Sequence, residues 1–442
     1  MNSRRERPVG TPRFRPPRHF TPDALDNGDD SPTTRPREAT GRIRDATAGS
    51  RMRRWRYSET VLALSTLAFF ATMVGRLAIS PVLPMIKDEF VVSNTVVGIA
   101  MTGMWMAYFL SQFPSGIFAD RYGERPIILI AVGGTAVTSL FLAVAPVFAV
   151  FVLGTVALGA VAGLHYSVAT TLLTRTYDEI GAAIGIHNSG GPAAGLIAPP
   201  IAGWVGVTYG WRPAVAIAVP VAILVYVLFA RFIEPTAPRR PDQSMRDRFD
   251  LGAMVDLLSR PQIAFPICLA IAAAFVWQAT STFLPTFLER HRNYSTELAS
   301  VVFAGYFVVQ ATTQVGVGAI SDRYGRDFAT AGCMLLASAG FALLVVGPGF
   351  TAVAVAVLLI GTGLGWGAAL LPRFMDVLSD AERGAGFGLI RTVYGFVGAL
   401  GSVGTGLVAD LFNWGVTFGV LAGLLALVLC ALVVNWALSL GY

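Results

Sequence analysis

Arg76 is a guanidinium inside an apolar stretch. It stands between Glu59 and Lys87 in a run that is otherwise uncharged. At about 1.5 Å of rise per residue, its Cα would lie about 16 Å from that of Lys87. Helical side chains lean toward the helix N-terminus, which carries this one away from the nearer end. Facing lipid, an Arg at such a depth costs about 2.5–3.5 kcal/mol on insertion scales. Arg76 is therefore expected to face a wet cavity. Its planar fork of donors suits a carboxylate or phosphate. No Asp or Glu lies deep in any apolar run; Asp376 and Asp410 fall near the ends of theirs. The expected counter-charge is thus a guest, a small organic anion. The competing reading is that Arg76 satisfies backbone carbonyls freed at a helix break near Pro81.

Other polar side chains share these apolar runs. Arg391 is placed so that it either snorkels to the nearer surface or meets a solute. Arg373 precedes Asp376 by one helical turn and can pair with it. His165 is a candidate ligand or proton relay, with His187 beside it in the reading; a neutral histidine packed between helices is the commoner outcome. Gln278, Gln310 and Gln314 can line a cavity or bond across helices. Trp277 and Tyr394 are candidate walls, although packing is the default for an aromatic ring. No phosphate-binding loop, metal-ligand cluster or nucleophile–base spacing is present. An enzyme, a cofactor and a metal are not expected. Movement of a solute would then be gradient-driven or passive, with H+ or Na+ as a coupling ion.

The elements that hold these residues follow from composition. The chain is 54% hydrophobic and only 14% charged, against about 25% charge in soluble domains. Twelve stretches approach the roughly 20 apolar residues that a spanning helix needs. They are 60–84, 94–118, 126–144, 148–174, 183–208, 212–232, 263–288, 298–320, 328–347, 351–377, 386–410 and 414–440. The basic balance belongs to residues 1–58, which hold 14 Arg against 7 acidic residues. This Pro- and Asp-rich tail reads as disordered, not as a nucleic-acid surface. Beyond it, Arg121, Arg125, Arg175, Arg323, Arg326 and the linker arginines fall on one side of the spans. Lys87, Arg212, Arg290 and Arg292 fall on the other. The positive-inside rule puts both termini in the cytoplasm of a plasma or inner membrane. Cys268, Cys333 and Cys430 lie in apolar runs and are expected as buried small hydrophobes.

One segment occurs twice. Gly116-Ile-Phe-Ala-Asp120-Arg121-Tyr-Gly123 follows the second span, and Gly318-Ala-Ile-Ser-Asp322-Arg323-Tyr-Gly325 follows the eighth. Leu83-Pro84 matches Leu284-Pro285, and Gln112 matches Gln314, at nearly the same offset. Such doubling is usual in solute carriers.

These residues resemble the signature of the major facilitator superfamily. Gly116, Asp120, Arg121 and Arg125 match its first copy, and Gly318, Asp322, Arg323 and Arg326 its second. Glu124 and Asp327 stand where basic residues are usual. The resemblance implies an all-α membrane protein of twelve transmembrane helices in two pseudo-symmetric six-helix bundles, working by alternating access. The bundles would be 59–232 and 263–442, joined by a cytoplasmic linker at 233–262. It also implies that Asp120 faces the start of span eleven and Asp322 the start of span five, as a cytoplasmic gate. The run from Arg76 to Pro84 is similar to the first span of the anion:cation symporter and organophosphate branches. Trp277 stands where organophosphate carriers place a second Arg, and Thr155 falls near the position of the family's span-four Arg. The expected function is secondary transport of a small organic anion. The alternatives are proton-linked efflux of hydrophobic or drug-like compounds, and a carrier-like solute sensor.

Overall fold

The computed structural model describes residues 40–177, 180–239, 251–379 and 382–440, with side chains from Tyr57 onward except at 251, 253 and 383–385. Expectations for the tail before residue 40 and for Arg240, Arg246 and Arg248 fall outside the described residues. Arg54–Tyr442 forms one compact unit. The first helix, Thr40–Leu77, begins within the segment expected to lack structure. Its Ala and Arg residues are good helix formers.

Among the described residues, eleven helical stretches are long and apolar enough to cross a membrane. The remaining expected span, 183–208, is helical in two pieces, Ile180–Asn188 and Gly190–Tyr209. Its glycines, with Pro199 and Pro200, dilute its hydropathy below that of its neighbours. Large apolar side chains such as Leu153, Leu224 and Leu427 are exposed on the outer faces, as a lipid-facing surface requires. Cys268 and Cys430 share that surface and only Cys333 is buried, which corrects the expectation for two of the three.

The sequence repeat is a repeat of geometry. Span two, Asn94–Tyr122, starts at Ser93, whose hydroxyl accepts from the Val96 N–H at 3.3 Å. Span eight, Thr296–Tyr324, starts at Ser295, which caps Leu298 at the same distance. Each ends at a glycine of positive φ, Gly123 at 87° and Gly325 at 101°, a conformation that costs other residues energy.

Spans two, three, four and six pack on one another, as do spans eight, nine, ten and twelve. Two seams join the groups: span five lies on span eight, and span two on span eleven. Small residues set the spacing. A Cβ on Gly163 of span four would come within 2.3 Å of the Tyr108 carbonyl on span two. One on Gly195 of span five would come within 2.3 Å of the Phe307 ring on span eight.

Broken helices meet at these seams. Span one, Tyr57–Phe90, changes to a 3-10 turn at Ser80–Val82, where Pro81 lacks the N–H of a regular helix. The Ser80 hydroxyl donates to the Ser281 carbonyl of span seven at 2.6 Å. Span eleven, Gly386–Leu411, is interrupted at Ala399, whose carbonyl accepts from the Thr102 hydroxyl of span two at 3.0 Å. Thr102 accepts in turn from the Val403 N–H at 3.0 Å.

One end of the molecule is closed. Thr282 and Ser402 share a hydrogen bond of 2.8 Å, Arg290 pairs with Asp88 at 2.6 Å, and Asp410 binds Asn94 and Thr95. At the other end, where Gly123 and Gly325 turn the chain, several glycines are uncrowded. Cβ atoms added at Gly116, Gly181, Gly185, Gly318 or Gly388 would meet nothing within 4 Å.

Candidate functional site

Arg76 reaches a central cavity of about 310 Å³. Its burial follows from what surrounds span one. Gly159 and Gly163 bring span four against the backbone of Met104 and Tyr108, and Trp105 and Tyr108 of span two then face Arg76. The guanidinium carbon lies 4.0 Å from the Tyr108 ring centroid and 5.0 Å from that of Trp105. Ring faces attract such a cation, more strongly when it is out of water. Nε donates to the Thr72 carbonyl at 3.1 Å and Nη2 to the Met73 sulfur at 2.8 Å. Nη1 meets no acceptor within the protein. Arg76 is 1% exposed, with no carboxylate among its partners. The one backbone carbonyl that accepts from it, Thr72, lies more than two turns before Pro81 and is not freed by that break, so the competing reading does not account for this bond.

Arg391 enters the same cavity from span eleven. Its guanidinium carbon lies 4.4 Å from the Tyr166 ring centroid, and its Nε has no partner within the protein. Among the described residues, no Asp or Glu lines the cavity. Two guanidiniums, one from each half of the fold, thus face a space without a fixed counter-charge.

Trp277, Gln278, Gln310, Gln314 and Tyr394 also line this space. The Trp277 ring stands edge-on to Trp105, with centroids 5.5 Å apart. Gln278 is buried and its Oε1 lacks a partner. Gln310 donates to the Leu364 carbonyl at 2.8 Å, at the gap between the two helices of span ten, Gly349–Gly363 and Gly367–Val377. Tyr394 stands edge-on to Trp366 at 5.8 Å. His165 is not a lining residue. It is fully buried behind Phe69, its ring stacked on that ring at 5.9 Å.

Sequence reasoning passed over Phe69, Met73 and Tyr166 as wall residues, and Tyr108 altogether. Tyr108 carried a signal: it follows Trp105 by three positions, which places both on one helical face. Tyr166 carried none, because the polar residues of span four do not gather on one face and its rotation is not legible.

The repeated turns form a second cluster. Gly116 and Gly318 are uncrowded, Arg121 lies over Tyr122 at 5.6 Å, and Arg323 over Tyr324 at 5.2 Å. Asp120 is half-buried at the end of span two. Arg125 donates to the Ala230 carbonyl at 2.5 Å. Arg326 pairs with Asp322 on its own turn and with Asp376 at 3.2 Å. The two acids that depart from the family pattern have matching roles. Glu124 pairs with Arg175 at the end of span four, at 3.0 Å, and Asp327 with Arg373 in span ten. Among the described residues, no group of three or more His, Cys, Asp or Glu could hold a metal.

Comparison with known proteins agrees with this architecture. The chain is 23% identical to the hexuronate transporter of Bacillus subtilis, covering 80% of this chain and 89% of that one. It is 28% identical to the transcription regulatory protein OpdE of Pseudomonas aeruginosa, covering 83% and 90%. It is 26% identical to the class B tetracycline resistance protein of Escherichia coli, covering 80% and 89%. A bacterial homologue of the human lysosomal transporter Spinster, solved inward-facing and unoccupied, superposes with a TM-score of 0.72 at 18% identity, covering 86% of this chain and 96% of that one. The family signature itself matches residues 65–371 and 268–439. The chain is a multi-pass membrane transporter, not an enzyme, and belongs to the Major Facilitator Superfamily.

Proposed function

We propose that the protein is a secondary active carrier of a small organic anion, with Arg76 as its principal charge partner and Arg391 as the second. The observation that carries this reading is the pair of guanidiniums on a cavity wall that, among the described residues, contains no carboxylate. A buried cation without a counter-charge is costly, and an anionic guest would supply one through the Arg fork. Trp277, Gln278, Gln310, Gln314 and Tyr394 would bind the rest of the guest. The hexuronate transporter among the relatives is consistent with an acidic solute.

The excess of arginine on one side supports a cytoplasmic position for both termini. The end lined by Gly116 and Gly318 is then cytoplasmic, and the carrier faces inward. Asp120, Asp322 and the arginines around them would close that end in the alternate state. The two bundles, 59–232 and 263–442, would rock about the cavity, with the 233–262 segment as their tether.

The aromatic wall and the tetracycline resistance relative favour a second reading, efflux of drug-like compounds. Both readings meet one experiment: uptake and counterflow in proteoliposomes with D-glucuronate, benzoate, benzenesulfonate and a lipophilic cation. The anions are expected to move. Arg76→Ala should reduce their flux by about thirtyfold or more, since truncating one partner of a buried charge pair costs about 2–5 kcal/mol. Arg76→Lys keeps the charge and loses the fork, and should weaken apparent affinity by about tenfold. Transport of the cation, with both variants behaving as wild type, would exclude the anion reading. Binding without flux would instead mark a sensor.

A further inference from the structure

Two imidazoles lie behind the Phe69 ring. His165 comes from span four and His187 from span five, both 0% exposed. Their ring centroids are 5.4 Å apart, and the Phe69 centroid is 5.3 Å from that of His187. None of the four ring nitrogens has a hydrogen-bond partner within the protein, and neither does the buried Ser65 hydroxyl. The Ser65 carbonyl is close to both rings, but no ring nitrogen meets it in hydrogen-bond geometry. Five unpaired polar atoms at one buried place are unusual. Gly190 lets span five press on span one at this point, where a Cβ would come within 2.6 Å of the Thr66 carbonyl.

Two imidazoles without a third His, Cys, Asp or Glu make a poor metal site. A proton is the ligand that ring nitrogen chemistry accepts. The charged and titratable groups facing the pair come from three further directions. Arg76 of span one acts electrostatically on His165. The Tyr166 ring of span four is 6.0 Å from His187, and Arg391 of span eleven lies over Tyr166. Like charges repel, so with the cavity empty Arg76 opposes a positive charge on His165. An anion seated on Arg76 would cancel that opposition.

We propose that His165 and His187 form a proton-binding site linked thermodynamically to the anion site, so that one proton binds together with one anion. This inference rests on the anion reading above. A ring nitrogen takes the proton from water through its lone pair, and no bond of the guest is made or broken. Linkage is reciprocal: the anion favours the proton as much as the proton favours the anion.

The test is binding of D-glucuronate, benzoate and benzenesulfonate to the full-length protein in lipid nanodiscs, from about pH 5.5 to about pH 8, where these probes stay ionised. Wild-type affinity should rise by up to about tenfold per unit of acidification. In His165→Gln and in His187→Gln the change across the whole range should fall below about twofold. Should a Gln variant fail to fold, nitrogen-15 spectra of histidine-labelled wild type decide the matter. The chain has only 4 His, and the ring signals of this pair should move toward the protonated form when a probe is added at about pH 6. Binding with pH-independent affinity, or a slope retained in both variants, overturns the proton site and leaves the anion reading standing. No binding of any probe at any pH overturns both.

Discussion

The Asp410 carboxylate is bound to Asn94 on another helix. Its Oδ1 accepts from the Asn94 N–H at 3.1 Å and from the Asn94 side-chain amide at 2.7 Å. Its Oδ2 accepts from the Thr95 N–H at 2.7 Å and the Thr95 hydroxyl at 2.6 Å. The last turn of span eleven thus caps the first turn of span two, where unpaired N–H groups and the helix dipole favour an anion. The family resemblance implies the converse contact at the opposite end, from Asp120 to the start of span eleven. The two spans would then cap each other alternately.

Asp410→Asn keeps the size and removes the charge. Bonds to a charged group contribute about 1.5–3 kcal/mol, so the closed end should open about ten- to a hundredfold more often. A cysteine at position 281, in a background without the three native cysteines, should react correspondingly faster with a thiol reagent. An unchanged rate would show that Asp410 does not hold this end shut.

Glu124 is 1% exposed and depends on Arg175 at 3.0 Å. Arg175→Ala leaves a buried carboxylate without its cation, which costs about 3–5 kcal/mol. The detergent-solubilised protein should unfold at a markedly lower temperature. Arg373→Ala should cost less, because Asp327 is 45% exposed and water replaces the lost partner. Equal losses in the two variants would contradict the assignment of burial as the cause.

Gly116 has room for a side chain in this state. Gly116→Ala should therefore leave the unfolding temperature within about 1 °C of wild type, since uncrowded surface changes are nearly neutral. If this turn closes against a neighbour in the alternate state, transport should still fall by fivefold or more, on the order of 1 kcal/mol. Gly163→Ala is the contrast, since its Cβ would strike the Tyr108 carbonyl. It should lower yield and stability together.

The linker contact has its own dependence on pH. The Ser379 hydroxyl and the Arg260 guanidinium bind the Glu382 carboxylate and hold it down to about 2. A depressed carboxylate contributes fully above its ordinary value and loses that contribution only as the pH falls toward about 2. Glu382→Gln should accordingly leave the shape of the transport profile unchanged above about pH 5. A shifted profile would show that this contact, not the cavity, titrates there.

Much of the fold was legible because lipid imposes a length and a polarity on each span. The Arg76 position was legible for the same reason, since one charge in an apolar run must find a partner. Span five was harder, because Gly190, Pro192, Pro199 and Pro200 shorten its apolar signal while tight packing on Thr66 and Phe307 keeps it helical. His165 and Tyr166 show the limit. They are consecutive, yet one lies behind Phe69 and the other lines the cavity. Hydropathy cannot separate neighbours on a helix whose polar residues do not gather on one face. The roles of Glu124 and Asp327 were hidden too, because Arg175 and Arg373 are distant in the chain.

Arg76 and Arg391 arrive from spans one and eleven, on opposite jaws of the fold. On the proposed reading, the cavity would work as a calliper. A guest long enough to touch both tips would draw the jaws together, and a shorter one would rest against a single tip. Selection by this molecule would be a measurement of length, made by the same closure that carries the guest across.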